Sequence, residues 1–235
     1  YIVHNAPPEG EPLYQGHRTI RMREYNFKND EYVGQETLLV DGGVDISEEP
    51  VWIEAPHIFK KDGYYYLIAA EGGTRENHSE VVFRSRAVNG PYEPWSENPI
   101  LTQRHLNPKR KNPVTSAGHA DFVKLPNGHW WSVFLACRPY GGDMYNTGRE
   151  TFLMPVEWKK GWPVITEGKE KVPFVHAKPN LATVKWDGIP LNGNFVVKDN
   201  FQDSTLAQYW NFLRTRREEW YTLKNGKLQI KPRQE

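Results

Sequence analysis

Four short stretches carry side chains that could do chemistry. In Trp52-Ile53-Glu54-Ala55-Pro56-His57 a carboxylate directly precedes an apolar run. Beside apolar Trp52 and Ile53 its charged form is disfavoured, which moves a glutamate toward the role of general acid. The plainer reading is a surface glutamate capping a strand. In Gly118-His119-Ala120 the small neighbours let a ligand approach the imidazole closely, although a histidine so placed also serves structural hydrogen bonds. Gly148-Arg149-Glu150-Thr151 offers a guanidinium fork to a hydroxyl or a carboxylate, with an Arg–Glu structural pair as the alternative. Glu71-Gly72-Gly73-Thr74 closes a strand in a tight turn that loop geometry alone explains. Other chemistries are absent: there is no G-x-S-x-G elbow, H-E-x-x-H pair, phosphate-binding P-loop or dinucleotide glycine fingerprint. Cys137 is the single cysteine, which excludes an intrachain disulfide and a cysteine-built zinc site. The triplet Asn77-His78-Ser79 matches a glycosylation sequon, which matters only in a secreted eukaryotic protein.

The elements that must position these groups are strands. Long helical periodicity is hard to find, whereas short alternating or aromatic runs recur between turn residues. His57 to Lys60, the turn Lys61-Asp62-Gly63, and Tyr64 to Ala70 read as a hairpin, since Asp-Gly between apolar runs is a strong short-range signal. Asp121 to Lys124, Pro126-Asn127-Gly128, and His129 to Leu135 read as its copy. The turn glycines are 65 residues apart, and nine residues before them lie Glu54 and His119, which the repeat places in matching positions facing a shared channel. Further strands follow at Glu80 to Arg84 and Thr151 to Met154. Four strands recurring at a fixed interval describe a β-propeller blade. Run backwards, the period makes Tyr1 to Asn5 a second strand and Arg18 to Glu24 a third, so the chain holds about two and a half blades where a closed ring needs roughly four to eight. Residues 166 to 194 are loop-like. The pattern then changes, with Asn225-Gly226 turning between Trp220 to Leu223 and Leu228 to Ile230. The sequence therefore divides into a partial propeller over 1–194 and the first strands of a second all-β domain over 195–235.

Composition agrees with this class. Nine Trp, twelve Tyr and ten Phe accompany 19 Gly and 18 Pro in 235 residues, a mixture that favours strands and tight turns. Thirty basic and 29 acidic side chains leave a net charge of +1, so a nucleic-acid partner is not indicated. The basic runs Arg104 to Lys111 and Arg214 to Arg217 read as solvated loops. No window approaches the roughly 18 apolar residues of a membrane span. The chain begins at Tyr1 without a charged-then-apolar leader, so either a leader was removed or the start is not natural, and the compartment is unread.

Taken in order, the motifs resemble glycoside hydrolase family 43, which includes β-xylosidases and α-L-arabinofuranosidases. The resemblance runs through Glu54-Ala55-Pro56-His57-Ile58, Lys61 to Leu67, Ala70 to Thr74, Gly118-His119-Ala120-Asp121, Cys137-Arg138-Pro139, Gly148 to Thr151, Glu157-Trp158 and Gly161 to Val164. Phe201 to Arg214 and Trp220 to Leu228 resemble the start of the β-sandwich that many family xylosidases carry after the propeller. The resemblance implies a five-bladed propeller and an inverting mechanism, in which an acid protonates the leaving oxygen while a carboxylate activates water on the opposite face. It implies that Glu54 is the acid, that Arg149, His119 and Thr74 contact the sugar, and that His119 lies in the central channel, where some members hold calcium. No cofactor is otherwise required.

The water-activating Asp and the Asp that tunes the acid belong to earlier blades in this family. By the period they are expected upstream of Tyr1, and Asp41, Asp45 and Asp62 lie in the wrong phase to replace them. The expectation is an inverting hydrolase releasing xylose or arabinose from xylo- or arabino-oligosaccharides, inactive as this chain alone and completed by a missing N-terminal half of the propeller. The rival expectation is a non-catalytic propeller that only binds carbohydrate.

Overall fold

The structure is a computed structural model, and it describes residues 1–141, 144–166, 170–188, 193–215 and 217–232. It separates into two compact units, Tyr1–Pro179 and Asn180–Glu235. Among the described residues regular structure is strand, apart from two single 3₁₀ turns at Ile46–Glu48 and Glu218–Trp220. No helix among them is long and apolar enough to cross a membrane.

The first unit is three antiparallel meanders in chain order. Strands β1 (Ile2–Ala6), β2 (Thr19–Asn26) and β3 (Glu31–Asp41) form the first. The second holds β4 (Glu54–Lys61), β5 (Tyr64–Glu71), β6 (Ser79–Ser85) and β7 (Glu93–Pro94), with β8 (Leu101–Thr102) also paired to β6. The third runs β9 (Thr115–Lys124), β10 (Trp130–Cys137), β11 (Glu150–Lys159) and β12 (Trp162–Val164). In the second unit β13 (Tyr221–Lys224) and β14 (Lys227–Ile230) make the hairpin that Asn225-Gly226 announces.

The two hairpins read as copies differ in their turns. Lys61 pairs directly with Tyr64, leaving a two-residue loop in which Asp62 and Gly63 take φ of +48° and +77°, the left-handed pair a type I′ turn requires. Lys124 instead pairs with Trp130. His129 therefore belongs to a five-residue loop closed by its own carbonyl, which accepts the Leu125 amide at 2.8 Å.

Strand alternation builds the core. On β5 and β6, Leu67, Ala69, Val81 and Phe83 pack with Ile20, Met22, Leu39 and Val40 of the first sheet. Their neighbours Tyr66, Ile68 and Val82 face the other way and pack with Trp95, Ile100, Trp162 and Val164. The middle sheet is thus covered on both faces, as a propeller blade is by its neighbours, and each such side chain contributes about 1.5–3 kcal/mol on burial. A separate cluster of Val114, Ala117, Ala120, Phe134, Ala136 and Val156 fills the third sheet. Tyr66 ties the second and third sheets together by donating its hydroxyl to the Gly161 carbonyl at 2.6 Å.

Candidate active site

Glu54 opens β4, paired with Ala70 of β5. The next paired residue is His57, opposite Ile68, so Ala55 and Pro56 form a bulge, with Ala55 at φ +51°. β9 is interrupted in the same way: Gly118 pairs with Leu135 and Asp121 with Val133, and His119 between them takes φ +58°. A left-handed backbone costs a residue with a Cβ about 1–2 kcal/mol, and bulges of this kind re-aim side chains. Register corrects the expectation drawn from the turn glycines. His119 matches Ala55, and Gly118 matches Glu54, because the hairpin loops differ in length. Sequence spacing thus placed His119 and Glu54 one residue too close in phase.

The bulge turns His119 outward to solvent between buried Gly118 and Ala120. There it lines a cavity of about 460 Å³ with His57, Asp121, Phe122, Leu135 and Thr151. His57 Nδ1 lies 3.6 Å from Asp121 Oδ1 across this cavity. Glu54 is half-buried and is not among the cavity's walls. Of its expected apolar neighbours Ile53 is fully buried, whereas Trp52 is 43% exposed. Thr74 is exposed in the loop after β5.

Arg149 is exposed immediately ahead of β11, and among the described residues it has no hydrogen-bond or ion-pair partner. The Arg–Glu structural pair exists, but Arg138 makes it: its Nε donates to Glu150 Oε2 at 2.8 Å and its Nη2 to Oε1. His78 is a buried imidazole whose pKa is lowered chiefly by its burial, against the Ser116 hydrogen bond that raises it, with His119 and Arg149 nearby lowering it further. His78 Nδ1 lies 2.9 Å from the Ser116 carbonyl. A carbonyl only accepts, so Nδ1 carries the proton and Nε2 is a bare acceptor.

The largest omission of a reading by motif is Glu80. It is fully buried on β6, and its Oε2 accepts the amide of Ala120 at 2.8 Å from the neighbouring sheet. Glu71 mirrors it from β5, accepting the Val44 amide at 2.9 Å. Burial pushes the pKa of both carboxyls up, well up for Glu80, against the amide bonds that lower it. The only signal in the chain is that Glu80 alternates with Val82 and directly precedes the apolar run Val81-Val82-Phe83 of β6.

Calcium takes about 6–8 oxygen ligands. Among the described residues no group of three or more His, Cys, Asp or Glu side chains is placed to hold a metal, and the His119 cavity brings a single carboxylate, Asp121. These residues by themselves do not fit a calcium ion.

The sequence matches the profile of Glycosyl hydrolases family 43 over residues 1–163. It is 40% identical over 182 residues to a non-reducing end alpha-L-arabinofuranosidase of Bacteroides ovatus, covering 76% of this chain and 32% of that protein. It is 34% identical over 239 residues to a xylosidase/arabinosidase of Butyrivibrio fibrisolvens, covering 100% of this chain and 44% of that one. The crystal structure of xylan beta-1,4-xylosidase from Bacillus halodurans C-125 superposes with a TM-score of 0.76 at 27% identity, covering 99% of this chain and 42% of that chain. The chain therefore spans less than half the length of these relatives. The all-β propeller class expected from the strand repeat agrees with these neighbours. On its sequence and its fold alike, the chain belongs to glycosyl hydrolases family 43.

Proposed function

We propose that the protein is an inverting glycoside hydrolase that releases xylose or arabinose from xylan- or arabinoxylan-type oligosaccharides. The observation that carries this reading is the family match over residues 1–163, together with relatives named as xylosidases and arabinofuranosidases. Glu54 donates the proton to the departing glycosidic oxygen, and Arg149, His119 and Thr74 hold the sugar. Inversion further requires a carboxylate that activates water from the opposite face, about 6.5–9.5 Å from the acid.

The aspartates nearest in the chain are otherwise engaged. Asp41 Oδ1 lies 2.8 Å from His17 Nε2, Asp45 accepts the Ser47 amide and hydroxyl at the 3₁₀ turn, and Asp62 forms the β4–β5 turn beside Lys61. The proposal therefore assigns the base, and the aspartate that tunes Glu54, to a part of the propeller outside these residues. Glu54→Gln in the full protein is expected to lower kcat on natural oligosaccharides by about 10²–10⁴-fold while leaving sugar binding in place. Retention of most activity would refute the acid assignment. Binding without turnover in the unmutated full protein would instead favour a carbohydrate-binding propeller.

A further inference from the structure

Glu80 is a buried carboxylate with one oxygen engaged and the other, Oε1, without a partner among the described residues. It reaches out of the second sheet to the Ala120 amide, and the His119 amide is near enough to help lower its pKa against the effect of burial. Both amides sit in the β9 bulge, where the ladder to β10 is interrupted between Gly118 and Asp121. A bulge leaves backbone groups without ladder partners, and buried amides need acceptors. The contact is therefore what makes the left-handed conformation of His119 tenable. From the other side, His78 and Ser79 close against Gly118, whose place tolerates no Cβ: one added there would lie 2.7 Å from the Ser79 carbonyl oxygen.

We propose that Glu80 is a positioning residue: from the neighbouring sheet it holds the His119–Ala120 bulge, and so aims the His119 imidazole into the cavity shared with His57 and Asp121. It touches no substrate and acts through His119 alone. In assigning a consequence for sugar binding, the proposal rests on the reading of His119 as a sugar contact.

Gln in place of Glu80 keeps an oxygen for the Ala120 amide, whereas Asp keeps the charge but is one methylene too short to reach it. In the full protein, Glu80→Gln is expected to stay within about threefold of the natural KM, and Glu80→Asp to raise KM about tenfold with a smaller change in kcat. Glu80→Asp should also speed hydrogen exchange of the Ala120 amide, and in a His119→Ala background it should raise KM no further. Natural KM and natural Ala120 exchange in Glu80→Asp would overturn the proposal, as would an equal KM rise with and without His119. If His119→Ala itself leaves KM unchanged, the sugar-contact reading fails. The anchor is then decided by Ala120 exchange alone, faster in Glu80→Asp if it exists and unchanged if it does not.

Discussion

Arg138 grips Glu150 with two donors, Nε at 2.8 Å and Nη2 beside it, and so takes the carboxylate next in the chain to Arg149. Adjacent residues on a strand point to opposite faces, which is why Glu150 serves a partner on β10's end and not its own neighbour.

The two arginines are accordingly expected to separate by phenotype. Arg138→Ala breaks a bidentate pair whose Arg side chain is 38% exposed and whose Glu side chain is 19% exposed, so a loss of only about 1 kcal/mol is expected after allowance for solvent screening. Arg149→Lys should leave the melting temperature unchanged and raise KM about tenfold, because an ammonium cannot reproduce the planar fork. Thermal melts and steady-state kinetics on the pair settle the matter; a destabilised Arg149→Lys would mean the fork is structural.

The buried carboxylates set a pH dependence of definite sign. Glu80 and Glu71 have folded pKa values above the ordinary 4.5. Each binds its proton more tightly in the native state, so its stabilising contribution is complete below the unfolded value and is lost as pH rises through the native one. Glu36, Asp45 and Glu150 are shifted the other way, by the hydrogen bonds of His4, Ser47 and Arg138 respectively, and protect only above their own ranges. Replacing Glu80 by Gln should therefore flatten the fall of melting temperature above pH 4.5. An unchanged slope would mean that Glu80 titrates alike in both states.

Gly118 tests the packing between sheets. Its added Cβ would meet the Ser79 carbonyl oxygen at 2.7 Å and the His78 ring at 2.9 Å, and backbone cannot yield as a flexible side chain does. Gly118→Ala is expected to cost about 1–3 kcal/mol, read by denaturant unfolding of the full protein. Gly128→Ala makes a contrast, since nothing lies within 4 Å of the Cβ position there and only its φ of +86° opposes the change.

The 235 residues expressed by themselves are expected to give no measurable hydrolysis of xylo- or arabino-oligosaccharides, because no water-activating carboxylate is assigned within them. Turnover comparable to that of the longer relatives would show that a base lies within these residues.

Local pattern carried far in this chain. Asp62-Gly63 and Asn225-Gly226 marked their hairpins because a left-handed turn needs those residue types whatever surrounds it. Tyr1 to Asn5 and Arg18 to Glu24 were legible as strands, and they pair as Ile2–Ala6 with Thr19–Asn26. β3 was not read, because Glu31 to Thr37 is largely exposed and polar and lacks the apolar alternation that marks a half-buried strand. The chemistry-bearing motifs were likewise visible, since residue type and order suffice to show a family.

By itself, then, the sequence marked most of the strands, the Asp62-Gly63 and Asn225-Gly226 turns and the resemblance to the family, because these show in residue type, order and local alternation. Tertiary structure alone decided that His119 matches Ala55 in register, that Arg138 takes Glu150, that Glu71 reaches the Val44 amide in the loop after β3, and that Glu80 reaches the Ala120 amide of the adjoining sheet. The reason is physical. A longer hairpin loop displaces every residue counted back from its turn glycine, and a carboxyl taken out of water bonds whichever amide a neighbouring segment leaves unpaired, so both are settled by partners distant in the chain.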